Sequence, residues 1–185
     1  MVILYITRHG ETEYNRLGLF IGQKDIDINE NGIAQAHELG KKVKSLNIDF
    51  ILSSSLSRAR QTAEIVNDYI HRDIRTDKRL IERNVGAYEG LTMQELREKF
   101  QKGYSDDIVK VYNEVPPGGE SAGDVQKRVF AALEELKINY PDKKILIITH
   151  SFITKIINKY FNPNISAKEF FDFHLNNTDI KKFEL

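Results

Sequence analysis

The sequence predicts an α/β layer sandwich, and two observations predict it. Three short runs, residues 2–6, 49–53 and 144–149, are apolar along most of their length rather than alternating, as in strands covered on both faces. Between and after them, apolar residues recur at helical spacing. Strand–helix alternation over 185 residues, without repeat, low-complexity tract or linker, fits one domain spanning residues 1–185.

Each element has its own signal. The first run stops abruptly at Arg8-His9-Gly10-Glu11. A helix over 29–46 sets Ile33, Ala36, Leu39, Val43 and Leu46 on one face. The second run leads into a helix over 57–70, with Ser57 as N-cap and Ala59, Ala63, Val66 and Ile70 facing inward. Thr92 and Glu95 form a capping-box pattern that opens a short helix reaching about residue 100. Ser121 and Asp124 start a long helix carrying Val125, Val129, Ala132 and Leu136, which stops before Pro141. The third run ends at His150-Ser151, and a helix over 151–161 follows, stopped before Pro163. Ser166 and Glu169 open one more short helix, and 171–175 and 179–185 read as late extended segments.

Composition narrows the function classes. Lys plus Arg and Asp plus Glu each number 27, so the formal charge is zero and the broad positive field of a non-specific nucleic-acid binder is lacking. Any cationic pocket would then act locally, on a small anion. The absence of cysteine excludes a thiol nucleophile, a thiolate metal site and disulfides. The amino terminus has no basic n-region, and no stretch approaches the roughly 20 apolar residues of a membrane span. Cytoplasmic residence, with no membrane or nucleic-acid partner, is the expectation.

Three strand ends bring Arg8 and His9, Arg58, and His150 to one sheet edge, where ligands bind in open α/β sheets. Arginine offers a planar fork of donors to phosphate or carboxylate. Histidine serves as nucleophile or base near neutral pH. Gly10 would let the chain turn closely around a bound anion. The set reads as an anion pocket holding two imidazoles. His9, Glu11 and His150 also raise a metal site, but no HExxH pair or thiolate supports one, so neither metal nor cofactor is expected. His37, His71 and His174 read as structural or solvated.

Taken in order, the motifs resemble those of the histidine phosphatase superfamily, also called phosphoglycerate mutase-like. They are Arg8-His9-Gly10-Glu11-Thr12-Glu13-Tyr14-Asn15, Gly22-Gln23-Lys24-Asp25 with Asn31-Gly32, and Ser53-Ser54 with Arg58-Ala-Arg-Gln-Thr62. Further along come Leu80-Ile-Glu82-Arg83 through Gly86-Ala-Tyr88-Glu-Gly90, Pro117-Gly-Gly-Glu-Ser121 and Thr149-His150-Ser151. The resemblance implies a three-layer sandwich whose sheet is mostly parallel, with one antiparallel strand. It implies that His9 is the nucleophile, forming a phosphohistidine, and that His150 is a cationic donor steadying the phosphoryl group. It assigns Arg8 and Arg58 to catalysis and to phosphate binding, with Asn15, Gly22, Arg83 and Ser151 as further substrate contacts. The helices after Arg58 and His150 would direct their N-terminal N–H groups at the same anion. Glu82 would protonate the leaving oxygen, and burial after its apolar pair would favour the protonated carboxyl.

Departures from the family pattern indicate the branch. Tyr14 and Tyr88 stand where tryptophan is common, and Ser151 replaces a glycine. Met93 stands where the mutases carry a lysine, and no arginine occurs between Arg97 and Arg128. Lacking those cations for a second anionic group, the chain reads as a metal-independent phosphomonoesterase acting on a small phosphorylated metabolite. The alternatives are a cofactor-dependent phosphoglycerate mutase and a non-catalytic phosphate-binding module. Residues 100–116 would form a lid over the pocket.

Overall fold

The computed structural model describes residues 1–100 and 114–185. Its five strands are β1 (Ile3–Arg8), β2 (Phe50–Ser53), β3 (Asp73–Thr76), β4 (Lys144–Thr149) and β5 (Ile180–Glu184). They lie in the order β3-β2-β4-β1-β5, all parallel except β5, which runs antiparallel to β1. The helices are α1 (Glu13–Arg16), α2 (Glu30–Val43), α3 (Ser57–Ile70), α4 (Met93–Phe100), α5 (Ala122–Asn139), α6 (Ser151–Phe161) and α7 (Ala167–Asp172).

The unbroken apolar runs are explained by a sheet covered on both sides. Ile145 and Ile147 of β4 join Leu4 and Ile6 of β1 in a core with Val125, Val129 and Leu133 of α5 and Ile153, Ile156 and Ile157 of α6. Leu146 and Ile148 point the other way, into a core with Leu39, Val43, Ala59, Ala63 and Val66 of α2 and α3. Each fully buried Ile or Leu contributes roughly 1.5–3 kcal/mol through removal from water. In register, Arg8 lies opposite Thr149 and Ser53 opposite Ile148, so the residues just beyond these strands emerge at one edge. No helix of the described residues is long and apolar enough to cross a membrane.

The expected elements are present, with four corrections. First, α2 buries Gly32, Ala36, Leu39, Gly40 and Val43, whereas Ile33 is 41% exposed. The helix approaches its neighbours through glycines, which an apolar count does not see: a Cβ on Gly40 would lie 2.3 Å from the Tyr69 ring. Second, Ser57 is the first helical residue of α3 rather than its cap, and the N-cap position is Leu56, which makes no side-chain bond. Asp25 supplies the cap from another loop, accepting from Ser57 N (2.7 Å) and Oγ (3.0 Å). Third, 171–175 is not a strand, because α7 runs through Asp172, started by the Ser166–Glu169 capping box. Fourth, β3 carried no sequence signal. It is a short, largely exposed edge strand, where polar residues are expected.

Candidate active site

Beyond the carboxyl ends of β1, β2 and β4 lies a cavity of about 300 Å³. Of the expected site residues, Arg8, His9, Asn15, Gly22, Arg58, Glu82, Arg83 and Ser151 line it. His150 stands behind the wall, fully buried, with its ring centroid 5.1 Å from that of His9.

His9 follows β1 directly and is pinned by its main chain. Its N–H donates to the Thr149 carbonyl (2.9 Å), and its own carbonyl accepts from Asn177 Nδ2 (2.7 Å). Its ring is oriented by the next residue. The Gly10 carbonyl can only accept, so Nδ1, at 2.7 Å, is the donor and Nε2 keeps its lone pair. Arg58 Nε donates to that nitrogen at 3.3 Å. Burial, followed by the Arg58 and Arg8 charges, pushes the His9 pKa well below 6.5, so the imidazole is neutral.

Gly10 is needed for packing rather than for an anion. A Cβ there would meet the Gly32 carbonyl oxygen of α2 at 2.5 Å. Its N–H is held by Thr62 Oγ1 (3.0 Å), which in turn donates to the Arg58 carbonyl (2.7 Å). One turn of α3 thus links the arginine to the His9 loop. Glu11 accepts from Asn29 Nδ2 (2.9 Å), at the cap of α2.

Arg58 is fully buried, and its terminal nitrogens donate to the carbonyls of Lys24 and Gly22, each at 2.8 Å. Desolvation lowers its pKa to about 10, which leaves it cationic at neutral pH. Its free bidentate fork is therefore partly committed. Arg8, by contrast, has its buried Nε unpartnered among the described residues. The other such atom is His150 Nδ1. Its partner nitrogen Nε2 lies 2.7 Å from Ser54 Oγ, which already accepts from Leu56 N–H. Buried polar atoms are rarely left unsatisfied, and here the two exceptions belong to the residue preceding His9 and to the histidine whose ring packs against it.

Burial, then the charges of Arg58, His9 and Arg8, push the His150 pKa well below 6.5, a direction that runs against the expected cationic state. The paired helix N-termini are corrected. The Ser57 N–H at the start of α3 is taken by Asp25, whereas Ser151 at the start of α6 lines the cavity.

Glu82 also lines the cavity, after the 3₁₀ turn Lys78–Leu80. Its carboxyl accepts from the N–H groups of Arg83 (2.9 Å) and Phe152 (3.3 Å). Desolvation outweighs these bonds and the Arg58 charge, so its pKa is raised above 4.5. Arg83 is buried beside it and donates to the Glu120 (2.9 Å) and Glu114 (2.6 Å) carbonyls, fixing the wall. Asn15 Oδ1 is bonded to Thr12 N–H and Oγ1, both at 3.1 Å, completing the capping box of α1.

Phe20, Tyr88, Phe152 and Phe171 make the outer cavity apolar, while Tyr14 contacts Lys24 instead of the cavity. Most of the expected lid, residues 101–113, lies outside the described residues, although Glu114 and Pro116 do line the cavity. Met93 is exposed and does not line it. A cation that sequence reasoning missed does: Lys155, whose Nζ donates to the carbonyls of Phe171 (2.7 Å) and Phe173. Burial lowers its pKa. Its signal was helical spacing, one turn after Ser151. Among the described residues, no group of three or more His, Asp or Glu could hold a metal ion.

Over residues 4–185 the chain matches the family described as the histidine phosphatase superfamily (branch 1). It is 35% identical over 150 residues to the uncharacterized phosphatase PhoE of Bacillus subtilis, covering 81% of this chain and 72% of that protein. It is 34% identical over 151 residues to the probable phosphoglycerate mutase GpmB of Salmonella choleraesuis, covering 81% of this chain and 70% of that protein. Among solved structures, YhfR of Bacillus stearothermophilus superposes with a TM-score of 0.90 at 28% identity, covering 100% of this chain and 92% of that one.

Proposed function

Because the chain belongs to the histidine phosphatase superfamily, we propose that it hydrolyses small phosphate monoesters through a phosphohistidine at His9. The observation that carries this reading is the pairing, across one cavity, of a neutral imidazole with Nε2 unprotonated and a carboxyl whose pKa is raised. Phosphate oxygens bind Arg8 and Arg58, and His150, packed behind the His9 ring, supports that end of the pocket. His9 Nε2 attacks phosphorus, forming the N–P bond as the ester P–O bond breaks. Glu82 gives its proton to the departing oxygen. Water then attacks phosphorus as the N–P bond breaks, its proton passing to the Glu82 carboxylate and the electron pair returning to His9 Nε2, and inorganic phosphate leaves.

The proposed residue roles and the covalent intermediate rest on the sequence reading together with this geometry, and residence in the cytoplasm rests on the sequence reading alone. Positive charge comes from Arg8 and Arg58, so activity is expected to survive exhaustive chelation. A loss restored by Mg²⁺ or Zn²⁺ would contradict that. A binding module has no use for a proton donor, which disfavours the non-catalytic reading. The mutase reading is favoured by the Lys155 cation in the cavity wall and by the similarity to the probable phosphoglycerate mutase GpmB. The deciding measurement is phosphate release against 2- and 3-phosphoglycerate interconversion in one reaction mixture. Steady release with little interconversion is expected, and isomerisation ten times faster than release would replace the phosphatase with the mutase.

A further inference from the structure

Four consecutive main-chain carbonyls, from Arg79 to Glu82, are each held by a side chain from elsewhere in the fold. Arg128, on α5, donates from Nη1 to the carbonyls of Arg79 (2.6 Å) and Ile81 (2.7 Å), and from Nη2 to that of Glu82 (3.0 Å). Thr149 Oγ1 donates to the Leu80 carbonyl (2.8 Å), and Gln23 Nε2 adds a second bond to Glu82 (2.9 Å). Glu120 fixes the guanidinium in turn, accepting from Nε (3.0 Å) and Nη2 (3.1 Å). All five N–H donors of Arg128 are thereby used, and the residue does not line the cavity.

We propose that Arg128 is a positioning residue for the proton donor, holding the main chain on which Glu82 is mounted without touching the substrate. The inference rests on the reading of Glu82 as the acid. Glu82 belongs to no strand or helix, so no ladder of main-chain bonds sets its place. The planar fork of Arg128 does so by gripping carbonyls on both sides of Ile81 as well as that of Ile81 itself. A lysine could not, having a single point of donation. Displacement of the carboxyl by about 1 Å is enough to cost roughly 10²-fold in rate.

The test compares an alkyl phosphate, whose leaving oxygen needs a proton, with p-nitrophenyl phosphate, whose leaving group needs little help. Arg128→Gln is expected to lower kcat about 10²-fold on glycerol phosphate and less than about threefold on p-nitrophenyl phosphate, with Arg128→Lys between it and wild type. Equal losses on both substrates would overturn the proposal by making Arg128 a general stability element. If Arg128→Gln fails to fold, Arg128→Lys and Thr149→Val carry the test. Thr149→Val cuts only the Leu80 tether, and the same bias at smaller size is expected. Equal losses there would overturn the proposal too. Glu82→Gln is measured in parallel. Bias in that variant with none in the Arg128 and Thr149 variants sinks this inference alone, whereas no bias in Glu82→Gln sinks the acid assignment and this inference with it.

Discussion

His9 and Glu82 face one cavity from two kinds of support. His9 is a one-residue extension of a central parallel strand, bonded through its main chain to the end of β4 and to Asn177. Glu82 sits on an irregular segment whose carbonyls are captured by Arg128, Thr149 and Gln23. The proposed nucleophile is thus located by the sheet and the proposed acid by side chains. The first kind of support survives most single substitutions, because strand pairing is spread over many residues. The second is concentrated in a few groups. Electrostatics divide in the same way: burial, reinforced by the arginine charges, lowers the pKa of both imidazoles, and burial raises that of the Glu82 carboxyl.

The largest effect should come from the floor. His9→Ala removes the attacking nitrogen and should lower turnover by roughly 10⁴-fold or more. Rapid quench of the wild type with labelled substrate should trap an acid-labile, base-stable phosphoprotein that is missing in this variant. Label surviving in His9→Ala, or an acid-stable adduct, would move the nucleophile elsewhere and break the comparison at its root.

Next is the wall. Glu82→Gln should cost about 10²- to 10⁴-fold on alkyl phosphates and much less on p-nitrophenyl phosphate. The pH dependence has a definite sign. His9, lowered below 6.5, stays neutral as pH falls under that value, so the nucleophile persists into acid. Glu82, raised above 4.5, loses its proton as pH rises through the raised value, so activity on alkyl phosphates should decline on the alkaline side. Glu82→Gln should abolish that decline. The stability sign follows: a raised carboxyl pKa means that ionised Glu82 destabilises the fold, so Glu82→Gln should melt higher at neutral pH, a gain that vanishes below 4.5. An alkaline limb unchanged in the variant would remove Glu82 from the proton transfer.

Legibility in the sequence follows the same division. Strand ends announce themselves, because an apolar run that stops at Arg8-His9 or Thr149-His150 states both element and edge. Helix caps at Ser121, Ser166 and Thr92 were equally readable, since the partners lie three residues apart. Long-range support was not. Asp25 capping α3, Gly32 and Gly40 admitting close approach, and Arg128 gripping the Glu82 segment depend on residues distant in the chain, and each leaves only an ordinary polar or small residue in the sequence. The lowered pKa of His150 depends on burial that no motif records, whereas the apolar pair before Glu82 did point to its raised pKa. Met93 shows the converse: a family position mattered in the alignment of motifs, yet in the fold it lies outside the cavity.

Lys155 gives a smaller and sharper test. It is the cation of the cavity wall nearest in sequence to Ser151, and its Nζ is held by the Phe171 and Phe173 carbonyls. Lys155→Met should therefore raise KM about fivefold for phosphate esters bearing a carboxylate, corresponding to ~1 kcal/mol for one partly exposed charge pair. Esters with a neutral alcohol should respond less. Equal changes in KM for both classes would reduce Lys155 to its bonds with the Phe171 and Phe173 carbonyls.

The smallest effect separates stability from rate. Asp25 caps α3 immediately before Arg58, yet Arg58 is also held by the Lys24 and Gly22 carbonyls and by the Thr62 link to Gly10. With that redundancy, Asp25→Ala should lose about 1 kcal/mol of stability through the cap, a fall in Tm of roughly 2–4 °C for a chain of this size. Turnover on p-nitrophenyl phosphate should fall less than about threefold, since the groups that touch phosphate keep their other supports. Arg128 variants should do the reverse, changing alkyl-phosphate turnover far more than melting. Calorimetry and initial rates on the two variants settle the matter together. An Asp25→Ala protein that melts normally but has lost tenfold in rate would mean that the floor, too, is placed by single long-range struts.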